Sequence, residues 1–185
     1  MTKIFKAFLC LTIVIYFLSS CNVYQKKTFL DFEFGITYNE FYDHAKTLQK
    51  SNLISNLTEG RFDYYLDIGN NKLIKFICSF GVFRDTRFAS ITLNAQNTLT
   101  ESEKTFLYNM LVNKYGKPSY PLQINPYYHC YKTAHWDLNS NDVNIAFENC
   151  ESNSATIDYA ATGKQYEDIK NKDKKDQGVI DVKNK

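Results

Sequence analysis

Hydrophobic residues follow two periods along the chain, and the order in which those periods alternate defines a fold class. From Thr37 apolar residues recur at helical spacing, at Phe41, Ala45 and Leu48; from Thr100 they do so again, at Phe106, Leu107, Met110 and Leu111. Both stretches open on Thr-x-x-Glu, Thr37 to Glu40 and Thr100 to Glu103. That is the capping box, in which the threonine hydroxyl accepts the N3 amide and the glutamate reaches back to the cap amide. The second stretch closes on Lys114-Tyr115-Gly116-Lys117-Pro118, with late cations, a C′ glycine and a proline beyond it.

Behind each helix the period becomes two. Phe62, Tyr64, Leu66 and Ile68 alternate with polar residues, "GNN" at 69–71 turns the chain, Ile74, Phe76, Cys78 and Phe80 form the next face, and "FASITLNA" follows at 88–95. Behind the second helix come "CYKTAHWDL" at 130–138, a turn at "NSND", "VNIAFEN" at 143–149 and "SATIDYAA" at 154–161. The predicted fold is α+β: two α-β-β-β repeats, 37–96 and 100–162, with the helices on one face of an antiparallel sheet or of two such sheets. Residues 21–36 read as a linker and first strand. From Gly163 the sequence turns polar and mixed in charge, which predicts a flexible tail over 163–185 with one helical turn at most, dispensable for folding.

The first twenty residues have another design: Lys3 and Lys6, an apolar stretch from Ala7 to Phe17, then Ser19 and Ser20. This is the layout of a secretory signal, and its apolar core is about half the roughly 20 residues that a spanning helix needs. Leu18-Ser19-Ser20-Cys21 resembles the lipobox of bacterial lipoproteins. The resemblance implies cleavage before Cys21 and a diacylglyceryl group on its thiol, which would hold the mature chain at a membrane of the cell envelope. An ordinary cleaved signal and a retained anchor are the other two readings of these residues.

About 165 residues then remain, enough for one globular unit. With 22 basic and 20 acidic side chains the net charge is +2, too small a field to favour nucleic acid. The chain has 14 Phe and 14 Tyr against 7 Gly and 3 Pro, a usage suited to strands and an aromatic core.

Of five cysteines, Cys10 lies in the signal and Cys21 in the lipobox, leaving Cys78, Cys130 and Cys150 in the folded part. A hairpin centred on position 140 sets Cys130 opposite Cys150, Lys132 opposite Glu148 and Trp136 opposite Asn144, which predicts a Cys130–Cys150 disulfide in an oxidising compartment. That register leaves Trp136 on the face away from Val143, Ile145 and Phe147. A bulge or a one-residue shift would bring Trp136 to the apolar set and separate the cysteines. Cys78, between Phe76 and Phe80, reads as a small buried apolar residue.

Catalytic signatures are missing from the sequence. It contains no Gly-x-Ser-x-Gly elbow, no His-Glu-x-x-His pair and no phosphate-cradling glycine loop. His129 and His135 share a strand face but stand about 20 Å apart, too far to hold one metal ion. His44 reads as an exposed residue of the first helix. No cofactor is implied. The segment "NPYYHCYKTAHW" at 125–136 concentrates rings, and Tyr127, Tyr128, Tyr131 and Trp136 are candidate contacts for a partner protein or glycan, or else core.

Tandem units of one helix and an antiparallel sheet resemble the β-lactamase-inhibitor-protein-like fold and the small outer-membrane assembly lipoproteins related to it. "FGITYNEF" and "LVNKYGKP" also resemble phrases of small envelope lipoproteins. The resemblance implies a non-catalytic role in binding or scaffolding another envelope protein. The alternative is an envelope hydrolase whose site assembles only in the fold, marked by His129 or His135 in a deep pocket beside a carboxylate.

Overall fold

A computed structural model of the chain describes residues 28–83, 86–125, 128–139, 141–148 and 153–177. Both expected helices form, α1 over Tyr38–Lys50 and α2 over Glu101–Tyr115, each with its capping box in place. After α1 come β1 (Ile54–Thr58), β2 (Arg61–Asp67), β3 (Leu73–Phe83) and β4 (Arg87–Ala95). After α2 come β5 (Tyr120–Asn125), β6 (Tyr128–Asp137), β7 (Asn141–Glu148) and β8 (Ala155–Ala161), and a third helix, α3, runs over Gly163–Asp176. The strands form one eight-stranded sheet in the order β1-β2-β3-β4-β8-β7-β6-β5, with antiparallel neighbours throughout. The fold is α+β. Each capped helix is followed by four strands rather than the three expected, because the edge strands β1 and β5, "ISNLT" and "YPLQIN", are too short and irregular to show alternation.

Both capped helices lie on the same face of the sheet. Under α1, Phe41 stacks on Phe32 at 4.2 Å and meets Phe80 and Phe88 at 4.1 and 4.8 Å between ring centroids. Under α2, Tyr108 meets Trp136 at 6.0 Å and Tyr115 meets Tyr159 at 6.5 Å. Between them a continuous core runs through Phe62, Phe76, Cys78, Ile91, Ile157, Val143 and Ile145, all buried. Each such apolar side chain contributes about 1.5–3 kcal/mol by leaving water. Among the described residues no helix is long and apolar enough to cross a membrane.

Three expectations are corrected. First, β6 and β7 pair one residue away from the register that sets cysteine against cysteine: Lys132 opposes Phe147 and Trp136 opposes Val143. Burial decides it, since this register places Trp136, 1% exposed, with Val143, Ile145 and Phe147 on the helix-covered face. Cys150 and the side chain of Cys130 lie outside the described residues.

Second, the supposed tail contains a packed helix. Gln165, Ile169 and Asp173, spaced by four, are all buried, while Arg87 Nε reaches Asp176 at 2.9 Å. One isoleucine flanked by two polar residues does not read as an apolar stripe, which is why the helix is hidden in the sequence.

Third, the described part of 21–36, expected as a linker and first strand, forms no strand but packs its rings into the core. Phe32 and Phe34 are 0% and 7% exposed. Residues 35–38 bond alongside β4, through Gly35 N–H to the Phe88 carbonyl at 2.8 Å and Phe88 N–H to the Ile36 carbonyl at 2.9 Å.

Candidate functional site

With both capped helices on one face, the sheet turns its other face outward, and cross-strand pairing brings distant residues into rows there. One row runs Tyr120, His135, Asn144, Asp158, Thr92, Ser79, Arg61 across β5, β6, β7, β8, β4, β3 and β2. The next runs Gln123, Thr133, Ala146, Thr156, Asn94, Ile77, Asp63. At about 4.8 Å per strand each row is about 30 Å wide. Most of these side chains are uncharged hydrogen-bonding groups, and larger rings stand at the rims, Tyr120 at 62% and Tyr65 at 45% exposure.

Two polar clusters punctuate the face. On β2 and β3, Asp63 accepts from Lys75 at 2.8 Å and from Asn56 at 2.7 Å; the lysine contact is the main cause that holds this carboxyl below its ordinary range. On β6 and β7, His135 Nδ1 bonds Asn144 Oδ1, its Nε2 lies 3.5 Å from Asp142, and the Tyr120 ring sits 5.6 Å away. Burial raises the Asp142 carboxyl above its usual range, with His135 opposing and Asp137 reinforcing the shift. The His135 and Asp142 side chains are each 25% exposed on the open face. Among the described residues no hydroxyl nucleophile bonds His135.

Of the candidate binding residues, the side chains of Trp136 and Tyr131 are among those described. Trp136 is core: its Nε1 donates to the Gly116 carbonyl at 2.8 Å, so it locks β6 to the end of α2 and presents nothing to a partner. Tyr131 is half-buried, opposite Glu148. Tyr127 and the side chains of Tyr128 and His129 lie outside the described residues, as does Cys21. His44 is half-buried, its Nε2 bonded to the Leu30 carbonyl at 2.9 Å and its ring edge-on to Phe32, a structural role in place of the exposed one expected. Cys78 is fully buried and burial pushes its thiol far up, which leaves it inert. Among the described residues no three His, Cys, Asp or Glu side chains converge on a possible metal position.

Sequence reading missed Tyr120, Asn144, Asp158 and Thr92. Each is an ordinary strand residue, and only the sheet order β4-β8-β7-β6-β5 brings them into one row. Compared with known proteins, the chain matches no family model, no curated sequence and no solved structure.

Proposed function

We propose that this protein is a lipid-anchored component of the bacterial cell envelope that binds another envelope protein without catalysis. The observation that carries the reading is the open sheet face. It measures about 30 Å across the strands and about 20 Å along them, comparable to the roughly 800 Å² that one partner contributes to a standard interface. Hydroxyl and amide side chains over most of it, with exposed tyrosines at the rims, suit a wet, hydrogen-bonded contact.

The helix-plus-four-strand units over 37–96 and 100–162 are the two halves of an internal repeat, and their joining doubles the width of that face. Cys21, behind its lipobox, carries the lipid and tethers the domain to the membrane through the acyl chains. The hydrolase alternative has the His135–Asp142 pair in its favour. That pair lies on the open face, and among the described residues no nucleophile bonds it.

Two experiments test the reading. A photo-crosslinking residue at Thr92 or Asn144 should capture one defined envelope protein in intact cells, whereas the same residue at Asn109 on α2 should not. Capture that is equal from both sides, or lost from neither site on adding Asp158→Lys, overturns the docking face. Cys21→Ala should abolish fatty-acid labelling and leave precursor; an unlabelled, soluble wild-type protein overturns the anchor.

A further inference from the structure

A cleft of about 660 Å³ lies between α3 and residues 33–40, built from side chains other than those of the open sheet face. Its helical wall extends from Lys164 to Lys175, about 16 Å at 1.5 Å rise per residue. Phe34, Ile36 and Ile169 give it apolar surface.

Its charge comes in both signs. Lys164, Lys172 and Lys175 project from the helix, and Glu33 and Asp168 join them in the lining. None of these five forms an ion pair among the described residues. The other two charged groups are already committed, Glu40 to the Thr37 cap and Arg87 to Asp176 and the Gly35 carbonyl.

A second observation points to a ligand. Gln165 lines the cleft at only 7% exposure, and its Oε1 has no hydrogen-bond partner among the described residues. A buried acceptor left unpaired is costly, and a donor arriving in the cleft relieves that cost.

We infer that this cleft binds an extended segment, about five residues long at about 3.3 Å each, of a partner protein that carries both acidic and basic side chains. A backbone N–H of the segment donates to Gln165 Oε1, its acid meets the lysines of α3, and its base meets Glu33 or Asp168. A purely anionic ligand such as a phosphate group fits worse, because it would set oxygens against Oε1 and against two carboxylates. The cleft and the sheet face share no residue, so either can fail alone.

The test uses the full chain in detergent and end-capped, fluorescein-labelled pentapeptides read by fluorescence polarisation. Asp-Val-Thr-Val-Lys or its reverse should bind about tenfold more tightly than the same peptide with two acids or two bases, and Gln165→Leu should weaken it by about tenfold, the effect of one hydrogen bond to a buried group. Because Gln165→Leu could perturb folding, the surface pair Lys172→Glu and Glu33→Lys supplies an independent arm: together they should reverse the preference between the two peptide orientations. Equal binding of all compositions, charge swaps without effect, or tighter binding of inorganic phosphate or of phosphatidylglycerol vesicles than of any peptide would overturn the inference.

Discussion

Replacing Ile169 by Ala tests whether α3 is part of the folded unit. Ile169 is 3% exposed and is the only apolar member of the buried stripe Gln165, Ile169, Asp173. It closes on Gly35, where an added Cβ would come within 3.3 Å of the Ile169 side chain and where φ is +86°. Truncating a buried isoleucine to alanine costs about 2–5 kcal/mol, and a helix held by one such residue at the sheet's border belongs near the lower end, about 2–3 kcal/mol. With a urea m-value of about 2 kcal/mol/M, inside the usual range for small domains, the midpoint should fall by about 1–1.5 M with m unchanged. Lys172→Ala, on the exposed side of the same helix, should stay within about 0.5 kcal/mol of wild type. Deleting everything after Thr162 should destabilise at least as much as Ile169→Ala. A midpoint shift under about 0.3 M for Ile169→Ala would restore the reading of this segment as a dispensable tail and refute the packing argument.

Two further outcomes are expected. Glu103 accepts from Lys72 at 2.8 Å and from the Thr100 N–H at 2.6 Å, which holds its carboxyl down from 4.5 to about 2, the lysine being the larger cause. A folded pKa below the unfolded one contributes stability above the unfolded value and loses it on acidification. Glu103→Gln should therefore cost about 1 kcal/mol at pH 6, with the gap to wild type closing as pH falls from 4.5 toward 2 in urea titrations; a gap independent of pH would refute it. A Cys130–Cys150 disulfide requires a one-residue bulge beyond the Tyr131–Glu148 pair. We expect a linked peptide on mapping without reduction, and two alkylated thiols would show that the register runs on unbroken.

The two capped helices were legible because their signals are local. A capping box and a C′ glycine act within one turn, and Thr37, Thr100 and Gly116 stand at the helix boundaries they imply. The central strands were legible from strict alternation, as in Phe76, Cys78 and Phe80. Register was not, since a turn such as "NSND" allows two pairings one residue apart, and only the burial of Trp136 under α2 chooses between them. The open face was illegible for a different reason. Its rows join β4 to β8, strands separated by about sixty residues of sequence, and the hydrogen bond from Thr156 to Asn94 at 3.1 Å has no sequence signature at all. Ile169 fell between these cases, a lone apolar residue whose partner, Gly35, is remote in sequence.

The seam between β4 and β8 also decides whether the chain can be divided. Ser90 through Asn94 pair with Ala160 through Thr156, so the sheet passes from one half to the other without a break. Side chains reinforce the crossing: Lys72 of the first half binds Glu103 of the second at 2.8 Å, and Thr156 Oγ1 of the second donates to Asn94 Oδ1 of the first at 3.1 Å. Cut apart, 37–96 and 100–162 would each be about 60 residues, a size at which a domain buries only about 60% of its unfolded surface. Each would also expose the full length of a central strand, β4 or β8, as a new edge bearing Leu93 or Ile157, an invitation to pair with other chains. The halves should therefore aggregate or stay unfolded when expressed separately, and should recover native circular dichroism when refolded together with the segment before Thr37 left on the first and α3 left on the second. If either half alone gave a cooperative urea transition, the seam would be an interface between two self-sufficient domains, and the width of the open face would depend on how those domains meet.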